Sequence, residues 1–536
     1  MSSKQTFSEL ISKITSDLGW SDFGPKIKIE RPSRREHGDF SSNVAMVLSK
    51  SLGKPPREVA QIVVDEINKL GMEHLDRAEI AGPGFVNVHL NTSWLQDVLQ
   101  EVVLAGQSTW ATDDLGQGEK VQIEFVSANP TGPIHVGNGW WAAYGDSLAR
   151  ILSRCGWKVS KEYYVNDTGG QIRRLGESLI ARKMGEIPSE DGYQGAYVTE
   201  LANHYQGPME ISEAGRFAAE KILDGIKDTL RRIGVEFDSW YSQASIEEGG
   251  AVQETIDTLR ASGLVYDQEG AVWLASSTLG DNRDRVLVKS NGDVTYTGGD
   301  LAYHRDKFLI RGFERVIDIF GADHHGQVAT LKAGVKALEI DPDKLEIKLG
   351  QMISLVGGAM SKRSGNFVSL DSLLDDIGPD AMRLMSLINS IDQATVLDID
   401  LVKKTTSENP VYYVQYAHAR ISSINRKADS QGIERISLDE VDFSLLTHDG
   451  ELELLRILEE FPDILREAAN ERVPFKITTW VRKLAGQFHS FYHDFKVISP
   501  DLDPQLVQAR LYLVEATRIG LGVGLDLLGV GAPEEM

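Results

Sequence analysis

Residues 120–154 read KVQIEFVSANPTGPIHVGNGWWAAYGDSLARILSR, and this stretch decides the fold. Val121, Ile123, Phe125 and Val126 make a short β-rich run with partial alternation. Asn129, Pro130, Gly132 and Pro133 break it, and from Asn138 onward small and apolar residues recur at helical spacing. The order is strand, glycine/proline loop, helix. Such a loop brings free backbone N–H groups and a helix N-terminus to one point, where an anion such as a triphosphate can sit. His135 lies on the loop, and Gly137 and Gly139 let a ligand approach the backbone. The same pattern also describes a strand–turn–helix with no ligand, and only the rest of the chain separates the two.

Further on, Val316 to Phe320 is an apolar-rich strand followed by Gly321-Ala322-Asp323-His324-His325-Gly326, with a helical pattern from Gln327 through Leu331 and Val335. This second strand–loop–helix unit places polar groups where ligands sit in open α/β sheets. The stretch between the two units is too long for a simple crossover, so an inserted lobe is expected at about 180–290, its helical part including Ala218 to Ile233. Ile347 to Val356 reads as one strand. Behind it comes GGAMSKRSGN at 357–366, a glycine-flanked basic loop whose lysine can meet a polyphosphate as a point charge. Residues 1–105 read as a small α+β unit, and the chain from about Asp398 is helical to its end.

A chain of 536 residues is expected to form two to four domains. Cys155 is the sole cysteine, which excludes an intrachain disulfide and a cysteine-rich zinc site and suits a reducing compartment. The start is polar and no run approaches 18 apolar residues, so neither export nor a membrane span is expected, and a cytoplasmic location is. The net charge of −23 argues against nonspecific wrapping of nucleic acid. Lys26, Lys28, Arg31, Arg34 and Arg35, enclosing only Glu30, still form a local basic patch, readable as a solvated turn or as an RNA surface. The acidic residues between Asp439 and Asp463 read as a solvated outer face.

Taken together, the blocks resemble the class I aminoacyl-tRNA synthetases, specifically the arginyl-tRNA synthetase family. The first class signature, HIGH, resembles His135-Val136-Gly137-Asn138 after SANPTGP, and the second, KMSKS, resembles Ala359-Met360-Ser361-Lys362-Arg363. HGDFSSNVAM at His37 to Met46, GADHHG at Gly321 to Gly326, NPVYYVQYAHAR at Asn409 to Arg420 and the ending GLDLLGVGAPEEM complete the likeness. It implies a multidomain protein: an α+β domain on 1–105 that contacts the tRNA elbow, a Rossmann-type catalytic domain on 115–395, and an all-α anticodon-binding bundle on 396–536. It also implies ATP-dependent ligation of L-arginine to tRNA(Arg) through an arginyl-adenylate, by a monomer, with Mg2+ carried on the ATP phosphates.

By the same resemblance, His135, Asn138 and Lys362 act on the phosphates, and Gly137, Asp323, His324, Met360 and Ser361 belong to the ATP site. Glu124, Asn129, Tyr296, Asp300 and Gln243 belong to the arginine site, with Asp300 able to pair with the guanidinium. Lys26, Arg34, Arg35, Tyr416 and Arg420 face tRNA. No resident metal is expected: adjacent His324 and His325 diverge, and no third ligand is evident. Four positions depart from the family's pattern. Asn138 replaces the last histidine of HIGH, Trp140 adds bulk at the helix start, and Ala359 replaces the first lysine of KMSKS. Gln243 stands where a glutamate usually faces the guanidinium. These departures leave two other readings open, a paralogue with altered amino-acid use and a noncatalytic tRNA-binding or regulatory protein.

Overall fold

The structure, a computed structural model, describes residues 3–20, 26–32, 34–351, 353–356 and 369–536. The N-terminal unit runs α1 (Ser3–Asp17), β1 (Ile29–Glu30), β2 (Phe40–Ser42), α2 (Val44–Leu52), α3 (Pro56–Leu70), β3 (Leu75–Ala81), β4 (Phe85–Leu90) and α4 (Ser93–Thr109). Its antiparallel sheet has the order β1-β2-β4-β3. Phe7, Ile11 and Ile14 of α1 and Val59, Val63 and Ile67 of α3 fill one core against Phe40, Val86 and Val88.

The central unit contains β5 (Lys120–Glu124), α5 (Val136–Arg154), β6 (Lys158–Val165), α6 (Gly169–Lys183), α7 (Ala196–His204), α8 (Ile211–Arg232) and β7 (Ser239–Ser242). Then come α9 (Gln243–Glu248), α10 (Ala251–Ala261), β8 (Val265–Gln268), β9 (Ala271–Leu274), β10 (Arg285–Val288), α11 (Tyr296–Arg305), β11 (Arg315–Gly321), α12 (Val328–Ala337) and β12 (Leu345–Gly350). Five strands pair in parallel in the order β12-β11-β5-β6-β7. The chain builds outward from β5 on one side and returns to build on the other, so the switch point lies beyond the carboxyl ends of β5 and β11. The segment 180–290 is divided: its β7 is a strand of the main sheet, and only β8, β9 and β10 form a small antiparallel sheet of their own.

Side-chain alternation gives the main sheet two different faces. Val121, Ile123, Phe125, Tyr163, Val165, Ile317 and Ile319 pack in the core that includes α5. Val316, Leu345 and Tyr164 pack on the other side with α11 and α12. That second face also buries Gln122, Glu124, Glu162 and Asp318.

Residues 345–356 are not one strand. The stretch breaks after Gly350, and β13 (Ile353–Leu355) pairs in parallel with β14 (Thr395–Leu397) in a separate sheet. Between them lie α13 (Leu370–Ile377) and α14 (Pro379–Ser386); α15 (Ile399–Val402) follows. The chain ends in a bundle of α16 (Pro410–Ser430), α17 (Asp449–Glu471), α18 (Phe475–Asp494) and α19 (Pro504–Leu528). Trp110, just past α4, stacks on Phe461 at 5.1 Å and so joins the bundle.

Among the described residues, several charged contacts tie these units together, and two are centred on Arg31 and on Asp146. Arg31 pairs with Glu459 at 2.5 Å and Asp463 at 3.2 Å, and Arg35 pairs with Glu453. Part of the acidic 439–463 segment is therefore an interface rather than a solvated face, because α17 meets the arginines of the first unit there. Burial pushes the Glu459 carboxyl up to about 7, even against Arg31. At the second contact, Asp146 of α5 meets Arg383 at 2.7 Å, Arg150 at 2.8 Å and Lys161 at 3.0 Å. Arg383 also donates to the carbonyls of Leu528 and Ile233. Burial opposes ionisation, but the three cations hold Asp146 at about 2.

Candidate active site

The loop after β5 begins with two residues of positive φ, Val126 at 70° and Ser127 at 36°. A β-branched residue rarely adopts that conformation, and such strain persists only where neighbours over-determine it. Here the Ser127 hydroxyl donates to Glu124 Oε1 at 3.0 Å and accepts from the Tyr164 N–H at 3.0 Å. Beyond the turn, Asn129 Nδ2 donates to Gln171 Oε1 at 3.0 Å, which anchors it to α6. His135 is the N-cap of α5, and Asn138 Oδ1 accepts from the His135 N–H at 3.2 Å. The asparagine at 138 thus closes a capping box from the third helical position. Ser369 bridges to His135, and the Leu370 N–H donates to Ile134 O at 2.9 Å. Met360, Ser361 and Lys362 lie outside the described residues.

Behind this loop, on the α11 face, charged groups are fully buried. A π-helical turn, Asp306–Ile310, follows α11 and carries Lys307. Its Nζ donates to Glu124 Oε2 at 2.6 Å and Asp318 Oδ1 at 2.9 Å. His304 Nε2 lies 2.9 Å from Asp318 Oδ2. Glu162 takes Arg311, the Tyr303 hydroxyl and, at 2.6 Å, Gln122 Nε2. Burial raises the Glu124 carboxyl despite Lys307. Burial would also raise Asp318, but Lys307 and the His304 hydrogen bond hold it at about 2. Both Glu124 oxygens are engaged, Oε1 by Ser127 and Oε2 by Lys307.

A cavity of about 240 Å³ lies between α11, α12 and the small sheet, and His304, which meets Asp318, is among its lining residues. Leu274, Leu301 and Leu331 supply apolar walls, and Asp300, Gln327 and Arg285 supply polar groups. Arg285 is neutralised by Asp281 at 2.8 Å. Asp300 has no cation at ion-pair distance among the described residues. Burial pushes its carboxyl up to about 6; His304 opposes this, while Glu124 and Asp318 add to it. Tyr296 stands at the rim, 74% exposed. Gln243 is not among the lining residues: at the start of α9 its Nε2 donates to Glu247 Oε1 at 2.8 Å. Asp323 and His324 lie on a 3-10 turn at the end of β11, where His324 Nδ1 is 3.2 Å from Gln327 Oε1.

Three family models cover nearly the whole chain: the arginyl tRNA synthetase N terminal domain on 3–90, the class I (R) tRNA synthetase catalytic domain on 99–426, and the DALR anticodon binding domain on 414–536. The chain belongs to the arginyl-tRNA synthetase family. This synthetase is 44% identical over 533 residues to the arginine–tRNA ligase of Syntrophotalea carbinolica, covering 96% of this chain and 95% of that one. It is 42% identical to the ligase of Carboxydothermus hydrogenoformans, over 95% and 94% of the two chains. Among solved structures, a putative arginyl-tRNA synthetase from Campylobacter jejuni matches with a TM-score of 0.75 and 33% identity, over 83% of this chain and 100% of that one. The Thermus thermophilus enzyme shares the fold, with a TM-score of 0.82 over 100% of both chains at 23% identity.

The residues expected to face tRNA differ in kind. The Arg420 guanidinium stacks over Tyr416 at 4.4 Å and Tyr492 at 5.0 Å, and donates to the Tyr416 hydroxyl at 2.7 Å. Lys26, Arg34 and Arg35 are exposed, but Arg34 pairs with Glu36 and Arg35 with α17. Sequence reasoning missed Lys307, Gln171 and Gln327. Gln171 sits in NDTGGQ at the start of α6, a polar cluster between strand and helix that marks a crevice. Lys307 lies in DKFLI, which carries no signal of burial.

Proposed function

We propose that the crevice joins arginine and ATP as arginyl-adenylate and then passes the arginyl group to tRNA(Arg), with the amino-acid side chain seated in the cavity above Asp300. The carrying observation is that cavity: apolar walls for a methylene stem, ending on a partly buried carboxyl with no cation at ion-pair distance among the described residues. A guanidinium supplies the missing charge and offers a planar donor set that a carboxylate accepts well. Tyr296 at the rim and the Asn129 oxygen serve the substrate's backbone end in this reading, while Glu124 and Asp318 add negative charge near Asp300. Gln243 acts from outside the cavity, through Glu247.

Arginine's carboxylate is already a nucleophile, so the work is to bring two anions together and stabilise charge on the phosphoryl oxygens. The N-terminus of α5, with His135 and the side-chain amide of Asn138, serves the phosphates; Gly137 allows the nucleotide to approach. By resemblance Lys362, with Met360 and Ser361 beside it, joins from the second signature, and Mg2+ enters bound to ATP. Asp323 and His324 lie on the nucleoside side. Arg420 on its tyrosines presents a cation on a stacking platform, suited to an unpaired base. The test is arginine-dependent ATP–pyrophosphate exchange, with and without tRNA. Exchange that needs tRNA supports the reading, whereas no exchange in either condition overturns it.

A further inference from the structure

Trp141 has no part in the account so far, yet its position is specific. It lies one turn beyond Asn138 on α5, half-buried against the main core. Its indole spans the ends of two strands. Gly321 closes β11, Gly350 closes β12, and the two are register partners. A Cβ added at Gly350 would lie 2.2 Å from Trp141 Nε1, and one added at Gly321 would lie 3.0 Å from Trp141 Cη2. Only a strand end without side chains accepts the ring in both places. The exposed Asp323 carboxylate is at the same edge, its Oδ1 2.5 Å from the Cβ position of Gly321.

The direction of a bound nucleotide follows from the architecture. Phosphates belong at the N-terminus of α5, and the amino acid lies on the opposite face of the sheet, between α11 and α12. The nucleoside must then extend over the carboxyl ends of β11 and β12, on the α5 side. Residue 141 is about 8 Å along the axis from that helix start, at 1.5 Å per residue. A partly exposed indole there offers an aromatic surface beside the Asp323 carboxylate, a hydroxyl acceptor. We infer that Trp141 is a wall of the nucleoside subsite, against which the purine of ATP stacks, with Gly321 and Gly350 glycine in order to seat it. This rests on the adenylating function above.

Stacking of a base on an aromatic ring, judged by alanine substitution, predicts a loss of roughly ten- to hundredfold in ATP affinity for Trp141→Ala. The experiment uses the full chain with saturating arginine and tRNA, comparing ATP with inorganic tripolyphosphate, which has no base. Trp141→Ala is expected to weaken ATP by that factor and leave tripolyphosphate and the arginine KM unchanged, while Trp141→Phe stays within about threefold of the parent. Equal losses for both anions, or no loss for ATP, would overturn the inference. A second readout needs no disruptive variant. With 5-fluorotryptophan incorporated, the resonance missing in Trp141→Phe should shift on adding ATP and stay put with tripolyphosphate. An enzyme that performs exchange but whose Trp141 signal ignores ATP refutes this subsite alone. Absence of exchange with the ATP-induced shift intact refutes the functional reading and leaves the subsite standing.

Discussion

Two charge clusters occupy opposite faces of one sheet, and they are built to different ends. Beneath α11, the carboxyls of Glu124, Glu162 and Asp318 meet Lys307 and Arg311, with His304 at Asp318, while Asp300 beside them has no cation at ion-pair distance among the described residues. On the α5 face, Asp146 meets Arg383, Arg150 and Lys161, and Arg150 also reaches the Asp526 carboxylate at 3.4 Å. The surplus of cations there is absorbed by carbonyls of Leu528, Asp526 and Ile233, groups at helix ends that carry negative potential. That cluster is closed; it fastens the helix carrying His135 to the last helix of the chain. The first cluster is open. Its surplus is negative, and burying carboxylates without partners is costly; Asp300 meets that cost with a pKa raised to about 6. A closed cluster holds parts together, and an open one waits for a ligand of the opposite sign.

The most severe way to break this contrast is Lys307→Met, which strands Glu124 and Asp318 without their cation. Removing one partner of a buried pair costs about 3–5 kcal/mol, visible as a fall in the urea midpoint, and arginine-dependent exchange should drop by more than about a hundredfold, the equivalent of roughly 2.7 kcal/mol. Normal exchange would detach this face from the reaction. Arg383→Met should cost a similar about 3–5 kcal/mol of unfolding free energy, read from urea denaturation, while the folded enzyme keeps its arginine KM within about twofold, under roughly 0.5 kcal/mol. A KM rise matching that of Lys307→Met would erase the distinction. For Asp300→Asn the expectation reverses. Losing a hydrogen bond to a charged group, about 1.5–3 kcal/mol, weakens arginine binding by tens of fold, with the melting temperature held or raised because a desolvated carboxyl is gone. The smallest effect belongs to the exposed Arg35–Glu453 pair. Arg35→Ala should change the unfolding free energy from urea denaturation by less than about 1 kcal/mol, and a larger loss would make that interface a structural member of the fold.

Much of the catalytic unit was legible because its pattern is local. Alternation in KVQIEF already separates Val121, Ile123 and Phe125 from Gln122 and Glu124, which is the division between the two faces. Asp300 and Tyr296 were reached through their block, since no periodicity marks them. Contacts between distant segments were not legible. Arg31 and Arg35 read as a free basic patch because their partners lie some 400 residues away on α17, as the separations of 432 and 418 show. The apolar run at 347–356 read as one strand, yet it divides between two sheets once α5 and Trp141 cover Gly350. Gln243 read as a guanidinium contact; the hydrogen bond of its amide to Glu247 at the start of α9 was not legible. Lys307 stayed hidden because a lysine among apolar neighbours most often lies at a surface.

The pH dependence of arginine binding tests the open cluster most directly. Asp300 must be ionised to hold a guanidinium, and burial raises its pKa to about 6 while His304 and Lys307 oppose and Glu124 and Asp318 reinforce the shift. Below that value the carboxyl carries a proton that arginine must displace. Affinity should therefore fall by about tenfold per pH unit as pH drops below about 6 and level off above it, since one unit corresponds to about 1.4 kcal/mol. Calorimetry across that range in two buffers of different ionisation enthalpy should detect proton release on binding at the acid end, absent in Asp300→Asn. Affinity that stays flat through pH 6, or an unchanged slope in Asp300→Asn, would contradict the account.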